Sequence, residues 1–450
     1  MSTIGTTGNT GTTGNSGTTG NPGTTRKALV IGGGIAGPVM ALALRKAGIE
    51  PVVFEAYGSS AEGIGGAFMI APNGLGALAV VGLEAEVGRI GQPVGPMVIE
   101  DGKGGVLAEF AGLADLPRGR VMRRAELYEV LQRRLQETGV EVHWGKRLVG
   151  AEEGADGVTA RFADGSSATG DLLIGTDGTR STVRTLIDPA APAARYTGLF
   201  GIGGYSSYRL PGRAGRGESV HFANGARAFF GYWGLADGSG TAWFSNIPQP
   251  EPLAPEEARA VGMAEWLRRC RELHSADVPA REVLRMADAE TMDIFPRLEI
   301  MPSVPRWYRG RMVLVGDSVH APSNSSGQGV SLAVESAVEL ARCLRDLPDH
   351  TAAFAAYEAL RRPRVEKIAA DAARTNSQKS SGAVGRMMFK LVAPIAMRTF
   401  MSPEKMLRPV HGYRIDWDRR VAPVALDGPG AGTRTGAGAT GRHGRDKHAA

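Results

Sequence analysis

Cysteine is almost missing from this 450-residue chain: Cys270 and Cys343 are the two. They cannot build a disulfide framework or a zinc site, and a reducing, cytoplasmic setting is expected. Long apolar runs are missing too. A transmembrane helix needs about 18 or more consecutive apolar residues, and no such run occurs, so no integral-membrane partner is expected. The N-terminus lacks the charged-then-apolar pattern of a secretory signal. The stretch Met387–Met397 is short and broken by Pro394, which fits a packed C-terminal helix better than membrane contact. Lysine is scarce, supplying nine of the 52 basic residues. Of the net charge of +6, three units sit on the Gly/Ala/Thr-rich stretch 428–450, and the rest is thinly spread. Without a cationic cluster no nucleic-acid partner is expected.

Glycine is what the chain has in excess, 63 residues or 14%, against about 7% in ordinary proteins. Residues 5–22 repeat GTTGNT, GTTGNS, GTTGNP. Such a unit has no apolar side chains to offset ordering entropy, so 1–25 is expected to be a disordered tail and 421–450 a second, basic one. Between them the composition is that of a globular protein. Order begins at Arg26: the apolar run Lys27–Ile31 predicts a buried strand, then a glycine turn, a helix ended by Gly48, and a strand at Pro51–Phe54 closed by Glu55. Residues 121–138 predict a helix with Leu127, Val130, Leu131 and Leu135 on one face. Short strands follow Gly139. Residues 186–300 turn aromatic and strand-like, and from Arg311 the strand–turn–helix pattern returns. The predicted fold is α/β: a Rossmann-type nucleotide-binding domain (26–95, 119–185 and 301–420) with an inserted β-rich substrate domain (96–118 and 186–300).

Gly32-Gly33-Gly34-Ile35-Ala36-Gly37 is a G-x-G-x-x-G at a strand-to-helix turn. Gly32 permits the tight turn, Gly34 lets the backbone approach a pyrophosphate, and Gly37 lets the helix pack on the strand. The residues Ile35 and Ala36 open a helix whose free N–H groups and positive dipole end face the phosphates. Glu55, at the end of the next strand, is placed to accept hydrogen bonds from a ribose. No second copy exists: Gly201–Gly204 lacks a following helix and Gly63–Gly66 a preceding strand. One tightly held dinucleotide is expected.

Two further segments narrow the choice. Asp177-Gly178 follows the apolar run 172–174, and Gly316-Asp317 ends another before Ser326-Gly327-Gln328-Gly329 opens a helix at Val330. In this order and spacing, from about Lys27 to Asp418, the chain resembles the class A flavin monooxygenases, the family of para-hydroxybenzoate hydroxylase, and within it the tetracycline-inactivating and polyketide-tailoring hydroxylases. The resemblance implies FAD, with Asp177 beside the flavin nucleotide and the nicotinamide path, Asp317 on the ribityl chain, and Arg124 of Arg124-Ala-Glu-Leu127 on the flavin side, with Arg123 as its rival. The turn Gly327–Gly329 would aim N–H donors at the flavin pyrimidine edge. It further implies NADPH (or NADH) as transient co-substrate and O2 as oxidant. A flavin C4a-hydroperoxide would hydroxylate or epoxidise an apolar aromatic or polyene small molecule. Two positions where relatives often carry Asn and Asp are Ser331 and Ser336 here.

Other chemistries find little support. The W-x-W-x-I-P of flavin halogenases keeps one tryptophan, Trp243, with Ser245 at the second position, no G-x-S-x-G occurs, and His143 and His221 lack metal-ligand spacing. His320 is expected to be structural. Aromatic residues between Tyr205 and Phe244 predict an apolar pocket as well as core. No catalytic acid or base stands out. An oxidase or a redox-neutral cyclase stays open beside the monooxygenase, in a monomer or homodimer.

Overall fold

Every residue after Lys27 in the first strand is apolar, and that strand, Lys27–Ile31, lies inside a sheet covered on both faces. A computed structural model describes residues 26–59, 66–212, 219–379 and 403–424. The repeat over 5–22, the stretch Met387–Met397 and the basic end beyond 424 lie outside them. The central sheet runs, edge to edge, Tyr308–Arg309, Met312–Leu314, Leu172–Gly175, Lys27–Ile31, Glu50–Phe54 and Glu141–His143. All pairings are parallel except the first. Helix Ala36–Lys46 touches both Arg124–Glu137 and Gly329–Asp346, and their apolar stripes share one core with the sheet.

The structure corrects one boundary. Residues 121–123 are not helical: Arg120–Arg123 is a strand paired antiparallel with Ala67–Ile70, and the helix starts at Arg124. The Glu126 carboxylate accepts the Arg123 N–H at 2.7 Å, which caps the helix one turn later than the periodicity suggests. Leu127, Val130, Leu131 and Leu135 are buried on its inner face.

A second sheet has seven strands, in the order Asp293–Phe295, Leu199–Ser206, Thr241–Pro248, Phe229–Gly234, Val220–Asn224, Met97–Asp101 and Val106–Phe110. Three helices absent from the sequence reading, Pro255–Val261, Met263–Leu273 and Ala280–Arg285, interrupt this strand-rich block. Trp266, Leu267 and Cys270 pack with Phe200, Phe230 and Trp243 of the sheet, Trp266 stacking on Phe200 at 4.1 Å. The opposite face looks back at the nucleotide-type domain. Val220, Trp233 and Ala242 there join Val94, Val121 and Met69. Past Pro403–His411 the chain returns to the first domain, where Tyr413 lies under Arg364 at 4.1 Å and Trp417 under Arg345 at 4.6 Å.

Candidate active site

The glycine turn is built by contacts that differ from one glycine to the next. Gly32 has φ +106°, and a Cβ there would lie 2.6 Å from the Thr176 carbonyl oxygen. At Gly37 a Cβ would fall on the Gly32 carbonyl oxygen, so helix and strand meet with no room for a methyl. Gly34 is different. Its missing Cβ would meet only the Arg124 guanidinium, at 3.8 Å, so the space above it belongs to no protein group. Ile35 is the helix N-cap and Ala36 its first residue, leaving first-turn N–H groups directed into that space. Glu55 accepts from the Gly33 N–H at 2.5 Å and the Tyr57 N–H at 2.9 Å. Each carboxylate oxygen keeps a lone pair for a further donor.

Gly316, with φ +72° and wedged against Ala36 and Ala333, turns the chain so that Asp317 stands beside the same helix start. Asp317 is solvent-accessible although Gly316 and Ser318 on either side are buried. An accessible carboxylate surrounded by protein marks the floor of a deep cleft. Burial pushes its pKa up, and the Arg124 guanidinium draws it back. Arg124 thus neighbours both Gly34 and Asp317. Its rival Arg123 pairs with Glu126 at 4.0 Å and faces Tyr205 instead.

Asp177 also has duties within its own turn. Its Oδ1 accepts from the Ser181 hydroxyl at 2.5 Å, and its Oδ2 from the Thr182 and Val183 N–H groups at 2.8 and 3.2 Å. Burial raises its pKa and these donors oppose the rise. It shapes the 177–184 turn, while buried Arg184 donates to the Ser318 carbonyl at 2.9 Å and ties that turn to the Gly316-Asp317 corner.

At the third corner Gly327 has φ +60° and packs on Met69, Gly329 is open to the cleft, and Val330 is half-buried at the second position of the 18-residue helix. A polar network that the sequence did not disclose holds this corner. Asn73 donates to the Gln328 side chain at 3.0 Å and to Glu335 at 2.6 Å, and Glu335 pairs with Arg361 at 2.7 Å and Arg364 at 2.8 Å. Asn73 and Glu335 are 262 positions apart, so no local spacing signals the pair. Burial pushes the Glu335 pKa up, but the two guanidiniums and Asn73 outweigh it and hold the pKa below its usual range. The two unusual serines belong to this framework. Ser331 accepts from the Ala71 N–H at 3.1 Å, and Ser336 bonds both His320, at 2.8 Å, and Arg361. His320 is buried, and burial, aided by Arg361, lowers its pKa to about 3; it is neutral and structural.

The facing wall is the inner side of the seven-stranded sheet. Residues directly opposite one another share a face. One row across the sheet therefore reads Asp293, Gly203, Phe244, Gly231, Phe222, Ile99. Phe222, Phe229 and Phe244 form a partly exposed ring cluster, with centroids 5.9–6.4 Å apart. Phe295 of the same face abuts Gly66, and Asn246 meets Asn324 beside the Gly327 turn. The wall therefore stands over the cleft. Behind it, Ser245, His274 and Asp277 sit 2.9 and 2.8 Å apart in nucleophile-triad order. All three are buried, so they peg the helices to the sheet and reach no substrate. Among the described residues no group of three or more His, Cys, Asp or Glu could hold a metal ion, and no helix is long and apolar enough to cross a membrane.

Open space bounded by a pyrophosphate-type turn, an accessible carboxylate, a cation and a helix start suits FAD, and comparison with known proteins agrees. A family model described as FAD binding domain matches residues 25–211 and 271–372. The FAD-dependent urate hydroxylase of Klebsiella pneumoniae is 32% identical over 353 residues, covering 76% of this chain and 87% of that one. The aurachin C monooxygenase/isomerase of Stigmatella aurantiaca is 31% identical over 352 residues, covering 76% and 86%. The crystal structure of Klebsiella pneumoniae HpxO complexed with FAD and uric acid superposes with a TM-score of 0.71 at 27% identity, covering 83% of this chain and 94% of that one. Its cofactor is FAD, its fold is α/β, and the chain belongs to the FAD-binding-domain family of FAD-dependent monooxygenases.

Proposed function

We propose that the protein inserts one oxygen atom from O2 into an apolar aromatic or alkene-bearing small molecule, with NADPH or NADH as electron donor. The single observation that supports this best is the accessible Asp317, whose neighbour Arg124 also borders the open space at Gly34, facing a wall of phenylalanine rings. FAD, when bound and reduced, supplies the activation of O2 and the transfer of one of its atoms. The protein supplies binding, orientation and exclusion of water.

In this reading Gly32, Gly34, Ile35, Ala36 and Gly37 receive the pyrophosphate on backbone N–H groups, with Arg124 compensating its charge. Glu55 receives ribose hydroxyls, and Asp317 the polar chain between pyrophosphate and flavin. Asp177 keeps the neighbouring turn in shape. Gly327, Gly329 and Val330 direct the positive end of an 18-residue helix toward the flavin pyrimidine edge, which stabilises negative charge on the reduced ring. The phenylalanine wall excludes water and orients a flat substrate. Segments 26–95, 119–185 and 301–420 form the cofactor domain, and 96–118 with 186–300 the substrate domain. Free, buried Cys270 and Cys343 suit a reducing cytoplasm.

The test is the visible spectrum of the purified protein, followed without oxygen during addition of NADPH and then in air. The expected outcome is flavin bands that bleach, return on aeration, and yield a product one oxygen atom heavier than a cognate aromatic. Flavin that is bound but never bleaches, with or without aromatic ligands, would move the protein to flavoenzymes that do not transfer oxygen.

A further inference from the structure

Among the aromatic and glycine residues of the cleft wall stands one carboxylate with nothing to do for the fold. Asp293 opens the cross-sheet row Asp293, Gly203, Phe244, Gly231, Phe222. It is half-buried, and among the described residues no hydrogen bond or ion pair reaches its side chain. Neighbouring Gly203 has no side chain, so the space between Asp293 and Phe244, two strands or roughly 10 Å away, is floored by backbone. On the same face Tyr205 lies next in line along its strand, two residues from Gly203. The charged groups on the element packed against this corner are Arg123 and Glu126, which pair with each other. Burial alone pushes the Asp293 pKa up; no cation draws it back.

A carboxylate partly withdrawn from water without a partner costs stability. Its oxygens accept hydrogen bonds and offer no donor when ionised. We infer that Asp293 is a substrate-binding residue that receives an O–H or N–H of the ligand, so the substrate class is a flat aromatic carrying a ring hydroxyl or ring N–H. This deepens, and rests on, the reading of the protein as an oxygenase of aromatic molecules. The ring system lies over Gly203 against Phe244, whose own ring covers Gly231, with its donor at the Asp293 end. A hydrogen bond from a phenolic O–H or ring N–H to a carboxylate moves electron density into the ring. That is the change which favours attack on an electrophilic oxygen, so the anchor also prepares the substrate.

The experiment uses the FAD-loaded protein and three matched ligand pairs: 2-naphthol and 2-methoxynaphthalene, 4-hydroxyquinoline and 4-methoxyquinoline, indole and 1-methylindole. Binding is followed by the flavin difference spectrum and by tryptophan fluorescence, independently of turnover. At least one donor-bearing ligand is expected to bind about ten- to hundredfold more tightly than its methylated counterpart, as a hydrogen bond to a charged group allows. Asp293→Ala should abolish that preference, leave the methylated ligand's affinity and the FAD content as they were, and leave thermal stability unchanged or raised. Asp293→Glu should restore part of the preference. Three results overturn the assignment: no pair with such a preference, no binding by any of the six, or an Asp293→Ala variant that weakens both members of a pair equally. Retained FAD and NADPH-driven oxygenation beside any of these would leave the functional reading standing. Loss of both in the parent protein would remove that reading instead.

Discussion

A methyl group added at Gly34 or at Gly37 would have opposite consequences, although the two lie in one turn. At Gly37 the new Cβ collides with the Gly32 carbonyl oxygen, so Gly37→Ala is expected to destabilise the apoprotein by about 1–3 kcal/mol through forced backbone displacement. At Gly34 the new group projects into open space beside Arg124. Gly34→Val should therefore leave apoprotein stability nearly unchanged and empty the flavin site. Thermal unfolding of the flavin-free protein and the visible spectrum after FAD reconstitution separate the two effects. A Gly34→Val protein that keeps its full complement of FAD would remove the pyrophosphate from this turn. Asp317→Ala is expected to behave like Gly34→Val, because its carboxylate opens into the same space and supports no other element.

On the scale of elements, the long helix Gly329–Asp346 carries both its dipole and the buried Glu335–Arg361–Arg364 network that fixes its start. Removing the acid leaves two guanidiniums uncompensated, and Glu335→Gln is expected to cost about 3–5 kcal/mol in urea unfolding. The pH dependence follows from two groups in this network. Glu335 is held below its ordinary 4.5, so its contribution is present above that pH and lost as pH falls further. His320 is held at about 3 against an ordinary 6.5. The unfolded chain takes up that proton first, so stability is full above 6.5 and declines between 6.5 and about 3. In His320→Gln the slope of unfolding free energy against pH should be shallower by about one proton across that window. Equal slopes in the two proteins would show that His320 is not buried in its neutral form.

For the whole molecule, the proposed cofactor site lies where strand ends and helix starts of the central sheet meet the ringed face of the seven-stranded sheet, so occupancy and stability should be linked. FAD at about a hundred times its Kd should add ~2.7 kcal/mol to unfolding free energy and raise Tm with ligand concentration. The Gly34→Val protein should show no such rise. Two terminal contacts reinforce the same assembly. Arg408 pairs with Asp115 at 2.8 Å, joining the last described helix to the 96–118 segment, and Tyr413 stacks under Arg364 of the buried network.

The chain's local order settled what short-range chemistry can settle. A glycine turn between an apolar strand and a helix, an acid closing the next strand, and two later Gly-Asp-type corners are each contained within a few residues, because a turn's φ and a helix's start are local properties. That is why the α/β fold and a dinucleotide turn could be read from the residues, while FAD and the enzyme class followed from the family resemblance that these motifs carry. Four features could not. The start of the helix at Arg124 depended on a strand partner more than 50 residues earlier, at Ala67–Ile70. Asn73 acquires its meaning only beside Gln328 and Glu335. Asp177 signalled a ligand contact, and only the structure adds that the N–H groups of its own turn use the same carboxylate. Asp293 carries no local signal; register sets it opposite Gly203, in the row that leads on to Phe244. Burial and cross-strand pairing are long-range consequences of packing, and they alone distinguish a carboxylate that holds the fold together from one left free to meet a substrate.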